Sequence, residues 1–152
     1  MSEALKIVLT SGLTIVGGVV VFTCAQLIQR FYIEPIDELT RLIGEVGVAL
    51  VFHANQYANP GSGTFQDMEE TYTVLRRQSG LLSIRAQMVR GYGVWYRFGV
   101  LPARRDVVKA SEGLMRLSNA VFEGNGDLNV NVASHVRELL GILGPQRSAK
   151  GE

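Results

Sequence analysis

The sequence predicts an all-α protein in which an N-terminal transmembrane helix is followed by a small antiparallel cytoplasmic helical bundle. Three observations predict it. Residues 7–29, IVLTSGLTIVGGVVVFTCAQLIQ, carry no charge; as a helix they would reach about 35 Å at about 1.5 Å per residue, enough to cross a hydrocarbon core of about 30 Å. Beyond them, apolar residues recur by threes and fours in four separate stretches. No stretch reads as a strand, which would alternate polar and apolar residues with period two.

The apolar helix comes first. A soluble core helix is a poor reading of it, because the remainder of the 152-residue chain is too small to surround so long an apolar element on every side. A cleaved signal peptide fits no better: the apolar region is too long, the basic N-region is reduced to Lys6, and no small-x-small cleavage site follows. Phe22 and Thr23 are poor company for a lipid-modified Cys24. The expected division is an anchor over residues 1–30, a cytoplasmic domain over 31–143 and a disordered tail over 144–152.

After Arg30 stand Phe31 and Tyr32, aromatic residues of the kind found at the headgroup level, and then Glu34 and Pro35. Proline removes a backbone donor and disfavours helix at the residue before it, so a kink or a pause is expected here, with Pro35 opening a new helix. That helix carries the seam Ile36, Leu39, Ile43, Val46, Leu50, His53 and Tyr57. The sequence NPGSG at residues 59–63 ends it, and Thr64 with Asp67 three residues on resembles a capping box that starts a second helix. Its seam is Met68, Tyr72, Leu75, Ser79, Leu82, Ala86 and Val89. Gly91, Gly93 and Gly99 break it around an aromatic cluster of Tyr92, Trp95, Tyr96 and Phe98. Pro102 opens a third helix with Val107, Ala110, Leu114, Leu117 and Val121 on one face. A turn at residues 123–127 leads to a fourth, with Val132, Val136, Leu139 and Leu143, which Gly144 and Pro145 stop.

The formal net charge of +1 conceals an asymmetry. Residues 31–70 hold seven acids (Glu34, Asp37, Glu38, Glu45, Asp67, Glu69, Glu70) against Arg41 alone, whereas residues 71–105 hold seven arginines (Arg76, Arg77, Arg85, Arg90, Arg97, Arg104, Arg105) and no acid. Arg30 and Arg41 follow the anchor closely, so the positive-inside rule puts the C-terminal domain in the cytoplasm. The one cysteine excludes an intrachain disulfide and suits a reducing compartment.

The segments FYIEPI (31–36), RLIGE (41–45), ANQYANP (54–60) and LSNAV (117–121) resemble an uncharacterised family of small bacterial single-pass membrane-anchored helical proteins. That resemblance implies a bacterial inner-membrane location and transfers no catalytic or binding residue.

Candidate sites are few. Thr10, Thr14 and Gly18 recur at spacing four with Gly17 beside them, a face on which two helices can pack closely and form a homo-oligomer. Arg90, Trp95, Tyr96, Arg97, Phe98, Arg104 and Arg105 make a belt suited to the membrane surface or to an anionic ligand. An antiparallel pair of long helices joined by the turn at 59–63 would return this belt to where the anchor emerges. His53 on the seam could be a switch or a ligand, a packed histidine bonded to a neighbour being the plainer reading. His135 has no second histidine or cysteine at metal spacing, and the acids opening the second helix are explained by its dipole. No phosphate loop, nucleophile elbow or Cys-His pair is present, so neither an enzyme nor a cofactor is expected. The balanced charge and the lack of a nucleic-acid motif argue against nucleic acid. The expected function is a membrane-anchored structural or regulatory protein whose cytoplasmic domain self-associates or docks a protein partner. The alternative is an oligomeric membrane effector that senses an anionic ligand and perturbs or conducts across the bilayer.

Overall fold

The computed structural model describes residues 3–142 and their side chains except those of residues 4–9; Leu143 and the expected tail lie outside the described residues. Among the described residues all regular structure is helical, with no strand. Helix α1 spans Glu3–Ile28, a π-helical turn spans Gln29–Ile33, and α2 spans Glu34–Phe52. Then follow α3, Ala54–Ala58; α4, Phe65–Met88; α5, Tyr92–Arg97; α6, Arg104–Ala120; and α7, Gly126–Leu139.

Of the kink or pause expected at Glu34 and Pro35, the pause does not occur: the irregularity there is a π turn, for a reason that lies in the proline itself. In a plain α-helix Pro35 would leave the carbonyl of Phe31 without its donor and press its ring against it. The π turn widens the coil at this point, and the Glu34 N–H reaches back five residues to the Gln29 carbonyl. Helix therefore continues without a break, 43 residues of it from Thr10 to Phe52. It is the one helix among the described residues long and apolar enough to cross a membrane. Every described side chain from Thr10 to Glu34 is exposed.

Below the π turn the helices gather around one core. Leu39, Val46 and Leu50 of α2, Leu75 and Leu82 of α4, Val107, Leu114 and Leu117 of α6, Val121 just after it, and Val136 of α7 are almost wholly buried, each side chain contributing about 1.5–3 kcal/mol. Helix α4 packs on α2 and α6, and α7 packs on α6 and α3. Cross-links between α2 and α4 follow a fixed order: Glu38 pairs with Arg85, the Gln78 side chain donates to the Glu45 carbonyl at 3.3 Å, and His53 meets Thr71 at 2.8 Å. Residue numbers rise along one helix as they fall along the other.

The seams largely coincide with the buried face, with two displacements. Leu42 is buried where Ile43 is only partly so, and Thr71 where Tyr72 is only partly so. A strict seven-residue repeat drifts about 20° per heptad relative to a straight α-helix, enough to hand the contact to a neighbour. In α7 the buried residues are Asn129, Ala133 and Val136, with Leu140 following, while Val132 and Leu139 sit at the edge. The capping box is present: Thr64 Oγ1 accepts from the Asp67 N–H at 3.2 Å and donates to the Asp67 carboxylate at 2.6 Å.

The helix expected to run on to Tyr57 is interrupted at His53, where the backbone leaves helical geometry (φ −93°, ψ 16°). His53 is buried, and Thr71, its partner, also donates to the Asp67 carbonyl at 2.8 Å. Burial lowers the His53 pKa from 6.5, and the charge of Glu70 opposes that in part. The unfolded chain therefore takes up a proton before the folded one does, so this contribution to stability is complete above about pH 6.5 and is lost as pH falls below it. Melting of the wild type should drop from about pH 7 to about pH 5 more steeply than melting of His53→Gln, whose amide can still bond Thr71 but takes up no proton. Parallel pH profiles of the two proteins would remove His53 as the cause.

Candidate functional site

Two exposed surfaces stand out, one beside the π turn and one at the far end of α2. At the first, the Arg90 guanidinium lies over the Phe31 ring, 5.1 Å from its centroid, and so ties the end of α4 to the point where α1 gives way to the domain. Gly91 follows with φ 65°, a left-handed conformation that glycine adopts without steric penalty, and α5 begins at the next residue. The expected loop of aromatics is thus a short helix, ended by Gly99 at φ 71°. Gly93 lies inside it and breaks nothing.

Being helical divides the aromatic cluster. Tyr92 is buried, its hydroxyl donating to the Pro102 carbonyl at 3.0 Å, and burial pushes its pKa up to about 12 against the nearby charge of Arg104, with Asp106 adding to the rise. Trp95 is half-buried and packs on the core. Tyr96 (55 % exposed) and Phe98 (75 %) face outward, with Val94 and Val100. Arg90, Arg97, Arg104 and Arg105 are exposed around them; Arg105 pairs with Asp106 at 3.5 Å on the surface.

Of the arginines in residues 71–105, Arg85 reaches the acidic helix, pairing with Glu38. Arg76 donates to the Asn119 side chain at 3.1 Å and lies over Tyr72. Pairing between the acidic and basic stretches is therefore local, and the arginines around α5 keep their charge toward solvent.

On α1, Thr10, Thr14, Gly17 and Gly18 are exposed, and a Cβ built on either glycine would meet nothing within 4 Å. Thr14 Oγ1 donates to the Thr10 carbonyl and Thr23 Oγ1 to the Val19 carbonyl, each at 2.8 Å. With the Thr14 hydroxyl satisfied within its own helix, small size is what Thr14, Gly17 and Gly18 offer a neighbour.

The surface that the seams did not anticipate is on α2. Val48 (70 % exposed), Val51 and Phe52 (76 %) point away from the core and, with Gly44, Gly47 and Ile142, line a shallow apolar groove. Ile142 approaches so closely that a Cβ on Gly47 would lie 3.2 Å from its methyl group. The signal was in the sequence: residues 46–52, VGVALVF, are apolar throughout, and seven consecutive helical residues cannot all face one side.

No family profile, curated protein or solved structure matches this chain. Its function is therefore read from these surfaces alone. Among the described residues no group of three His, Cys, Asp or Glu could hold a metal ion.

Proposed function

We propose that this chain is a membrane-anchored structural or regulatory protein. In this reading α1 crosses the bacterial inner membrane, and the remaining helices form an antiparallel cytoplasmic bundle that self-associates or docks a protein partner. The observation that carries it is the contrast between the two parts of one helix: from Thr10 to Ile28 α1 is apolar and exposed, while α2 packs into a closed core. The order of the contacts between α2 and α4 supports the antiparallel arrangement. Arg90 against Phe31 supports a domain seated on the bilayer, with Tyr96 and Phe98 at headgroup depth and the surrounding arginines toward anionic phosphates, about 1 kcal/mol each near the surface. The conducting alternative is disfavoured by the Thr14 and Thr23 hydroxyls of α1, which are turned back to their own backbone.

Membranes carrying the full chain should retain it through alkaline carbonate extraction. Trp95 is the one tryptophan. In vesicles containing anionic lipid it should be quenched by lipids brominated at shallow depth, and a Phe98→Trp, Trp95→Phe variant should be quenched more strongly, because position 98 is the more exposed. Extraction by carbonate would refute the anchor. Retention without quenching at either position would keep the anchor and lift α5 off the surface. The intact mass in mild detergent should exceed that of one chain and fall in Gly18→Leu, whose added side chain holds α1 helices apart.

A further inference from the structure

The groove on α2 and the small-residue face of α1 belong to one helix, and the π turn sets their relative orientation. In an uninterrupted α-helix, positions about 18 residues apart stand above one another, since about five turns of 3.6 residues return to the same side. A π turn takes one residue more, because its hydrogen bonds close over five residues instead of four. Across Gln29–Ile33 the matching separation is therefore about 19, which places Gly44 above Ala25 and Asp37 above Gly18. Gly44, Val48 and Val51 thus continue the side of the helix that carries Thr14, Gly18 and Ala25. A plain α-helix would turn them about 100° away.

We infer that the groove on α2 is covered by α2 of a second copy of this chain, in a parallel pair that runs along the whole helix from Thr14 to Val51. This rests on the membrane-anchored reading above and names the surface of self-association. The occupant is a second copy because chains inserted in the same direction through one helix present Gly44 and Val48 at the same height, so a symmetric pair meets residue against residue. In a symmetric parallel pair Asp37 and Arg41, about 6 Å apart along the axis, each stand level with their own counterparts. The long Arg41 side chain of either copy, leaning toward its helix N-terminus, can reach Asp37 of the other; within one copy that guanidinium contacts Glu45 on the surface. Gly18 and Gly44 let the backbones come close, a Cβ at either meeting nothing within 4 Å in the single chain.

Cys24 supplies the control, since it neighbours Ala25 but stands about 100° off the face. Full-length protein in vesicles is oxidised with copper(II) and run without reductant. Wild type should remain a single chain. In a Cys24→Ser background, Ala25→Cys and Gly44→Cys should each give several times more linked dimer than Arg77→Cys, which is exposed on α4. None of these positions is in the core, so the variants fold. Linkage through Ala25→Cys alone overturns the inference and confines association to α1; linkage through Gly44→Cys alone overturns the shared face. If neither links, the face is wrong. The intact mass then separates the two failures: a mass above one chain leaves self-association standing through another surface, and the mass of one chain removes it as well.

Discussion

Replacing Leu50 by Ala should destabilise the domain by about 4 kcal/mol, toward the upper part of the range of about 2–5 kcal/mol for emptied leucine sites. Leu50 is wholly buried. Its backbone is held as well: the Leu50 carbonyl accepts from the Tyr57 hydroxyl at 2.6 Å and from the Arg137 guanidinium at 3.1 Å. A segment pinned by α3 and α7 cannot move in to fill the space, so most of the cavity persists. The melting temperature of the full chain in mild detergent should fall by about 10–20 °C, at roughly 4 °C per kcal/mol for a domain of this size. A change below about 0.5 kcal/mol, the range of surface positions, would place Leu50 outside the core.

The second large effect has a sign that helix propensity alone would get wrong. Gly126 is the first residue of α7, and alanine there is nominally the better helix former. The added Cβ, however, would lie 1.9 Å from the Ala58 carbonyl oxygen, a backbone atom that cannot swing aside. Separating α7 from the end of α3 also strains the bond from the Asn129 side chain to the Tyr57 carbonyl, 2.9 Å long and buried. Gly126→Ala should therefore destabilise by about 2–4 kcal/mol, combining overpacking with a weakened buried hydrogen bond. Gly80→Ala in α4, where a Cβ meets nothing within 4 Å, should stabilise by about 0.5–1 kcal/mol. Denaturant midpoints measured side by side decide it; equal shifts in the two variants would show that α3 and α7 do not touch at Gly126.

How much of this was legible in the sequence varied with the physics involved. The uncharged run of α1 and the apolar face of α6 were plain, since Val107, Ala110, Leu114, Leu117 and Val121 are all buried. The cap at Thr64 was legible because its geometry is local. Pro35 misled, because a missing donor can be absorbed by widening the helix as well as by ending it, and residue identity does not say which. His53 reads as one more seam position, yet it is buried against Thr71 at a break in the helix, beyond which α3 packs on α7. Among the site residues, the arginines around α5 were identifiable by composition. The division between buried Tyr92, half-buried Trp95 and exposed Phe98 was not, because it depends on α5 being helical between two glycines with positive φ. No seam marks the groove on α2, because residues 46–52 are apolar all round and do not distinguish a buried face from an exposed one.

In the membrane-anchored reading proposed above, the unbroken passage from α1 to α2 makes the molecule a lever. A flexible tether would let the domain tumble independently of its anchor, but 43 residues of helix with no joint transmit tilt and rotation from one end to the other. Bilayer thickness sets helix tilt through hydrophobic mismatch, and a change of about 10° would swing the far end of α2, about 28 Å beyond the π turn, by about 5 Å. Val48 and Phe52 sit at that end. The position of the groove would then report the mechanical state of the membrane without any ligand passing between them.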